Sequence, residues 1–84
     1  MPADEEGGLV NAVAVAILDH LQTHPLAADT ADGVARWWLG PAYAGVTVQQ
    51  VEQALNLLVT RRAMRCLRLM DGTFLYSQEP RTRE

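Results

Sequence analysis

One cysteine, Cys66, is all the chain has, so neither an internal disulfide nor a cysteine-based zinc cage can form within it. Lysine is absent altogether, which carries no functional weight by itself. Long apolar runs are missing too: the longest, Ala12 to Leu18, is far too short to cross a bilayer. Met1 to Gly8 carries Asp4, Glu5 and Glu6 where a secretory leader needs positive charge, so no targeting segment is expected and the chain is expected in the cytoplasm. Paired carboxylates, a glycine-rich phosphate loop and the spacing of a nucleophilic triad are also missing. Enzymatic activity, a cofactor and a small-molecule substrate are therefore not expected.

What is present fits one small domain. With 84 residues, 49% of them hydrophobic, the chain can bury only about 60% of its unfolded surface, which leaves little room for a deep cleft. The net charge of −3 hides an asymmetry. Residues 1 to 35 hold six acids and no base, whereas residues 36 to 84 hold seven arginines against four acids. Both ends read as disordered tails: residues 1–8 are acidic, and residues 78–84 are charged around Pro80, so neither offers apolar surface to dock. The domain is expected over residues 9–77.

Three amphipathic segments predict helices. From Leu9, the residues Val10, Val13, Ala14, Ile17 and Leu21 recur at helical spacing, with acids before them to suit the positive end of the dipole and His24-Pro25 to close the helix. A second helix is predicted to start at Asp29 or Thr30, either of which can cap free amides, and to run through Val34, Trp37 and Trp38 to Leu39, where Gly40 and Pro41 stop it. For the third, Thr47 and Gln50 make a capping box, with Val46 and Val51 bracketing it as a hydrophobic staple. Its inner stripe is Val48, Val51, Ala54, Leu55, Leu58 and Val59, ending near Arg62.

Met64 to Met70 and Thr73 to Ser77 flank Asp71-Gly72, a dipeptide suited to a two-residue hairpin turn. With Met70 facing Thr73, the turn predicts Leu69 opposite Phe74 and Leu67 opposite Tyr76 on an apolar face. Arg68 with Leu75 and Cys66 with Ser77 then share the wet face, where Leu75 is out of place.

The order helix, helix, helix, Asp-Gly hairpin over residues 9–77 resembles the winged helix-turn-helix superfamily. Ile17 to Leu21, Val34 to Leu39, Thr47 to Leu58 and the run Arg61-Arg62-Ala63-Met64 carry the resemblance. It implies a mainly α chain with a small β-hairpin: a three-helix bundle followed by a two-stranded antiparallel wing, with residues 47–62 as recognition helix. Such folds serve both DNA and protein binding. The connection Gly40 to Val46 is longer than a tight helix-turn-helix turn.

A DNA-binding regulator would use helix 47–62 and the wing. Gln49, Gln53 and Asn56 can pair with adenine edges while Arg61, Arg65 and Arg68 hold phosphates. Against this, Glu52 would stand beside phosphates, the chain is acidic, and no base precedes Arg61 on that helix face. The arginines also fit a plainer account: Arg61 and Arg62 suit a helix C-terminus, and Arg68 keeps an exposed strand soluble.

Protein binding or self-association is the favoured expectation. Trp37 and Trp38 are neighbours on one helix, so their side chains diverge by about 100° and cannot both reach one small core. With Ala31 and Val34 inward, Trp38 is the expected core residue and Trp37 the flanking one. Trp37, Leu39, Pro41 and Tyr43 then form a candidate aromatic patch of the kind that anchors interfaces. A small core that needs both tryptophans is the competing account. His20 and His24 stand four apart, but two ligands are not a metal site, and His20 is expected at the surface.

Overall fold

The computed structural model describes residues 2–78, with side chains from Gly8 onward. Met1 and residues 79–84, which belong to the expected tails, lie outside the described residues. The chain is mixed α+β: three helices and a three-stranded antiparallel sheet. Among the described residues no helix is long and apolar enough to cross a membrane.

Helix α1 spans Pro2–Thr23. It begins before Leu9, where the sequence pattern starts, because proline suits a first helical position: its missing N–H has no intrahelical acceptor there. The His24 N–H still bonds to the His20 carbonyl at 2.9 Å, and Pro25 goes no further.

The segment after Pro25 departs from expectation. Ala28–Asp29 is a short strand, β1, which pairs with the last strand so that Ala28 meets Ser77 and Asp29 meets Tyr76. The expected two-stranded wing is thus a three-stranded sheet. Two residues are too few to show an alternating pattern, and what makes them a strand is the free edge of a distant hairpin supplying their backbone partners.

Thr30 caps helix α2, its Oγ1 accepting from the Gly33 N–H at 3.2 Å, while Asp29 Oδ1 accepts from the Thr30 N–H at 2.8 Å. Helix α2 is α-helical over Ala31–Gly33 and widens to a π-helical turn over Val34–Trp38. Leu39 is already extended, and Pro41–Tyr43 forms one 3-10 turn inside the long connection.

Helix α3 spans Val48–Thr60 and opens on the expected capping box: Thr47 Oγ1 accepts from the Gln50 N–H at 3.1 Å, and Gln50 Oε1 accepts from the Thr47 N–H at 3.0 Å. Its end is a Schellman motif. Ala63 N–H reaches the Leu58 carbonyl and Arg62 N–H the Val59 carbonyl, with Arg62 left-handed at φ 64°. An arginine therefore occupies the position that favours glycine.

Strands β2, Met64–Arg68, and β3, Phe74–Gln78, complete the sheet in the order β1-β3-β2. Their register is one residue away from expectation: Cys66 meets Tyr76, Leu67 meets Leu75 and Arg68 meets Phe74. The two-residue turn would need positive φ at both Asp71 and Gly72, but only Gly72, at 91°, has it. Instead Met70-Asp71-Gly72 form a three-residue loop in which the Leu69 N–H bonds to the Thr73 carbonyl at 2.7 Å and the Gly72 N–H to the Leu69 carbonyl at 3.0 Å. Asp71 Oδ1 holds the loop by accepting from Thr73 N–H and Oγ1 at 3.0 and 2.6 Å. Those bonds favour the charged carboxylate and hold Asp71 below its ordinary pKa.

The shift moves Leu67 to the same sheet face as Leu75, opposite the buried Tyr76, and so explains Leu75. The core lies between Val13, Ile17 and Leu21 of α1, Val34 and Trp38 of α2, and Val51, Leu55 and Leu58 of α3. Met64 and Tyr76 close it from the sheet.

Candidate functional site

Divergent neighbours on α2 set up the site. Trp38 is 8% exposed and lies in the core, whereas Trp37 is 74% exposed. Core space explains the choice, since Trp38 continues the inward row of Ala31 and Val34. Trp37 lines a groove whose walls are the end of α2, the 3-10 turn and the first residues of α3. The structure brings all four predicted residues, Trp37, Leu39, Pro41 and Tyr43, to this one groove and adds Val48.

The turn is what assembles it. Leu39 leaves the helix extended, Tyr43 N–H bonds back to the Gly40 carbonyl at 3.0 Å, and Val46 N–H to the Tyr43 carbonyl at 3.0 Å. The chain is thereby folded over so that Tyr43, half-buried against the core, faces back toward α2. At the rim, Arg36 Nε lies 3.1 Å from Asp32 Oδ2, one turn apart on α2. Both side chains are more than half exposed, so the pair contributes at most about 0.5 kcal/mol. The groove offers apolar and aromatic surface with an indole N–H and a phenol to orient a ligand.

The DNA-reading candidates are placed otherwise. Gln49, Gln53 and Asn56 are exposed on one face of α3, opposite Val51, Ala54, Leu55 and Leu58. Arg61 caps the end of that helix. Arg65 and Arg68 lie on opposite faces of β2, because an odd separation along a strand reverses the side chain. The structure therefore does not gather the three arginines on one surface.

His20 is half-buried and not a surface residue as expected. Its ring stacks on Trp38 at 4.7 Å and on His24 at 4.5 Å. Burial, and then the neighbouring His24 charge, hold its pKa below the ordinary value of 6.5. Among the described residues no group of three or more His, Cys, Asp or Glu is placed to hold a metal ion.

Sequence reasoning missed a second hollow beside the outer sheet face, lined by Leu26, Leu67 and Leu75 together with Arg65 and Ser77. Leu26 is 95% exposed there. The signal was Leu75 itself, stranded on a supposedly wet face, which a three-residue loop would have paired with Leu67. No protein-family model, curated protein or solved structure matches the chain.

Proposed function

We propose that this chain is a non-enzymatic binding module of the winged-helix kind, whose partner is a protein segment seated in the Trp37 groove. The observation that carries the reading is Trp37, 74% exposed on a wall shared with Leu39, Pro41, Tyr43 and Val48. A tryptophan left in water beside other apolar side chains is the composition of an interface anchor, and such anchors dominate binding energy. The order of three helices and a terminal hairpin supports the winged-helix resemblance.

A peptide library displayed against the protein is expected to yield segments with a large apolar residue at their centre. Trp37→Ala should weaken the best of them roughly 30-fold, the equivalent of about 2 kcal/mol at an anchor. Equal binding by Trp37→Ala removes the reading. DNA binding is favoured instead if a duplex at low salt shifts the amide signals of Gln49, Gln53, Asn56 and Arg61 to Arg68 and leaves Trp37 untouched.

A further inference from the structure

The sheet order β1-β3-β2 leaves the outer edge of β2 unpaired among the described residues. The ladder settles which groups face outward. Leu69 donates across the hairpin to the Thr73 carbonyl, so by antiparallel alternation Leu67 and Arg65 bond to β3 in the same way. Met64, Cys66 and Arg68 then turn their N–H and C=O groups to the open edge. Such an edge is a template for one more strand.

Charge selects the occupant. Between Glu52 and Asp71 the chain contains no acid but four arginines, Arg61, Arg62, Arg65 and Arg68. All four are exposed, and none has an ion-pair partner among the described residues, where Arg36 is paired with Asp32. Pairing β2 with the β2 of a second copy would gather the arginines of both along one seam, where like charges repel. An acidic strand meets them with opposite charge. On the outer face Leu67, 56% exposed, lies on the edge strand itself and is within reach of an apolar side chain of that acidic strand.

We infer that the open edge of β2 takes up an extended acidic segment of a partner protein as a fourth strand, with carboxylates against Arg65 and Arg68 and an apolar side chain against Leu67. This surface is separate from the Trp37 groove, so Trp37→Ala leaves it unchanged.

The test is a titration of the full labelled chain with a capped peptide repeating Glu-Thr-Val-Glu, an order that sets Glu opposite both Arg65 and Arg68 and Val opposite Leu67, alongside its counterpart with Lys for Glu. The Glu peptide is expected to bind, and on saturation to slow hydrogen exchange of the Cys66 and Arg68 amides by about tenfold or more. The double variant Arg65→Glu/Arg68→Glu, or salt raised to about 0.5 M, should weaken it by roughly tenfold. Cys66→Pro removes an N–H that faces the open edge and leaves the β3 ladder whole, so it too should weaken binding. Should that variant fail to fold, the exposed arginine pair carries the test. Equal binding of the Lys peptide, unchanged exchange at Cys66 and Arg68, a dimer formed through β2, or preference of these amides for duplex DNA each overturns the inference.

Discussion

The helical layer and the hairpin are built to different standards. In the layer, Val13, Ile17, Val34, Val51 and Leu55 are completely buried, and the three helices cover one another. In the hairpin only Met64 and Tyr76 reach the core, while Leu67, Met70 and Phe74 are exposed. Stability is thus concentrated where the helices meet. The sheet reaches the core through two side chains, and the outer edge of β2 is unpaired among the described residues.

The sharpest way to break this contrast is to shorten one leucine in each region. Leu55→Ala should cost about 2–5 kcal/mol in denaturant unfolding, because it removes fully buried methyl groups and leaves a cavity. Leu67→Ala should stay within about 0.5 kcal/mol. Similar costs at the two positions would mean that the hairpin shares the core after all.

A second prediction concerns where the two regions are joined. A Cβ on Gly33 would fall onto the Asp29 carboxylate, which itself holds the Thr30 N–H between β1 and α2. Gly33→Ala should therefore cost up to about 1 kcal/mol, since the Asp29 carboxylate can swing aside only by giving up its bond to Thr30. In combination with Asp29→Ala, which removes the obstacle, the loss should be smaller than the two single losses together, a coupling that a double-mutant cycle reads directly.

Arg62 marks the other joint, between α3 and β2. Its left-handed backbone costs an L-residue about 1 kcal/mol that glycine avoids. Arg62→Gly should raise the thermal midpoint, even though it removes a side chain, and a lowered midpoint would show that the arginine head group contributes more than the strain.

The smallest effect is with pH, again on the helical side. A histidine whose folded pKa lies below 6.5 binds its proton more readily when unfolded. Its contribution is complete above pH 6.5 and is lost as pH falls through that value toward the lowered one. His20→Phe, which keeps a ring against Trp38, should flatten the unfolding free energy over this window. The hairpin responds lower on the scale: Asp71, held below its ordinary value by Thr73, supports the loop until pH falls through its lowered folded pKa.

Much of the helical layer and of the groove is legible in the sequence. Helical spacing is read over many residues, so the inward rows of α1 and α3 are over-determined, except that Val48, expected inward, is exposed on the groove, and Thr47 with Gln50 states its own cap chemistry. Adjacent Trp37 and Trp38 must diverge, which places one inside and one on the groove. The hairpin register is not legible, since Asp-Gly suits two loop lengths and a single residue of slip exchanges the faces of the strand. Nor is the stack of His20 on Trp38, which depends on how α1 and α2 meet.

By itself the sequence determined the elements whose signals are local: helical periodicity, the Thr47 cap, the stop at Gly40-Pro41, and the absence of a cysteine framework. Tertiary structure alone decided that Ala28–Asp29 is a strand, that Leu67 and Leu75 share an outer face, and that the β2 edge carrying Arg65 and Arg68 is unpaired among the described residues. The reason is physical: caps and periodicities are satisfied by neighbours within a few residues. Strand pairing is satisfied by backbone groups from far along the chain, whose register a turn can move by one residue without changing the composition.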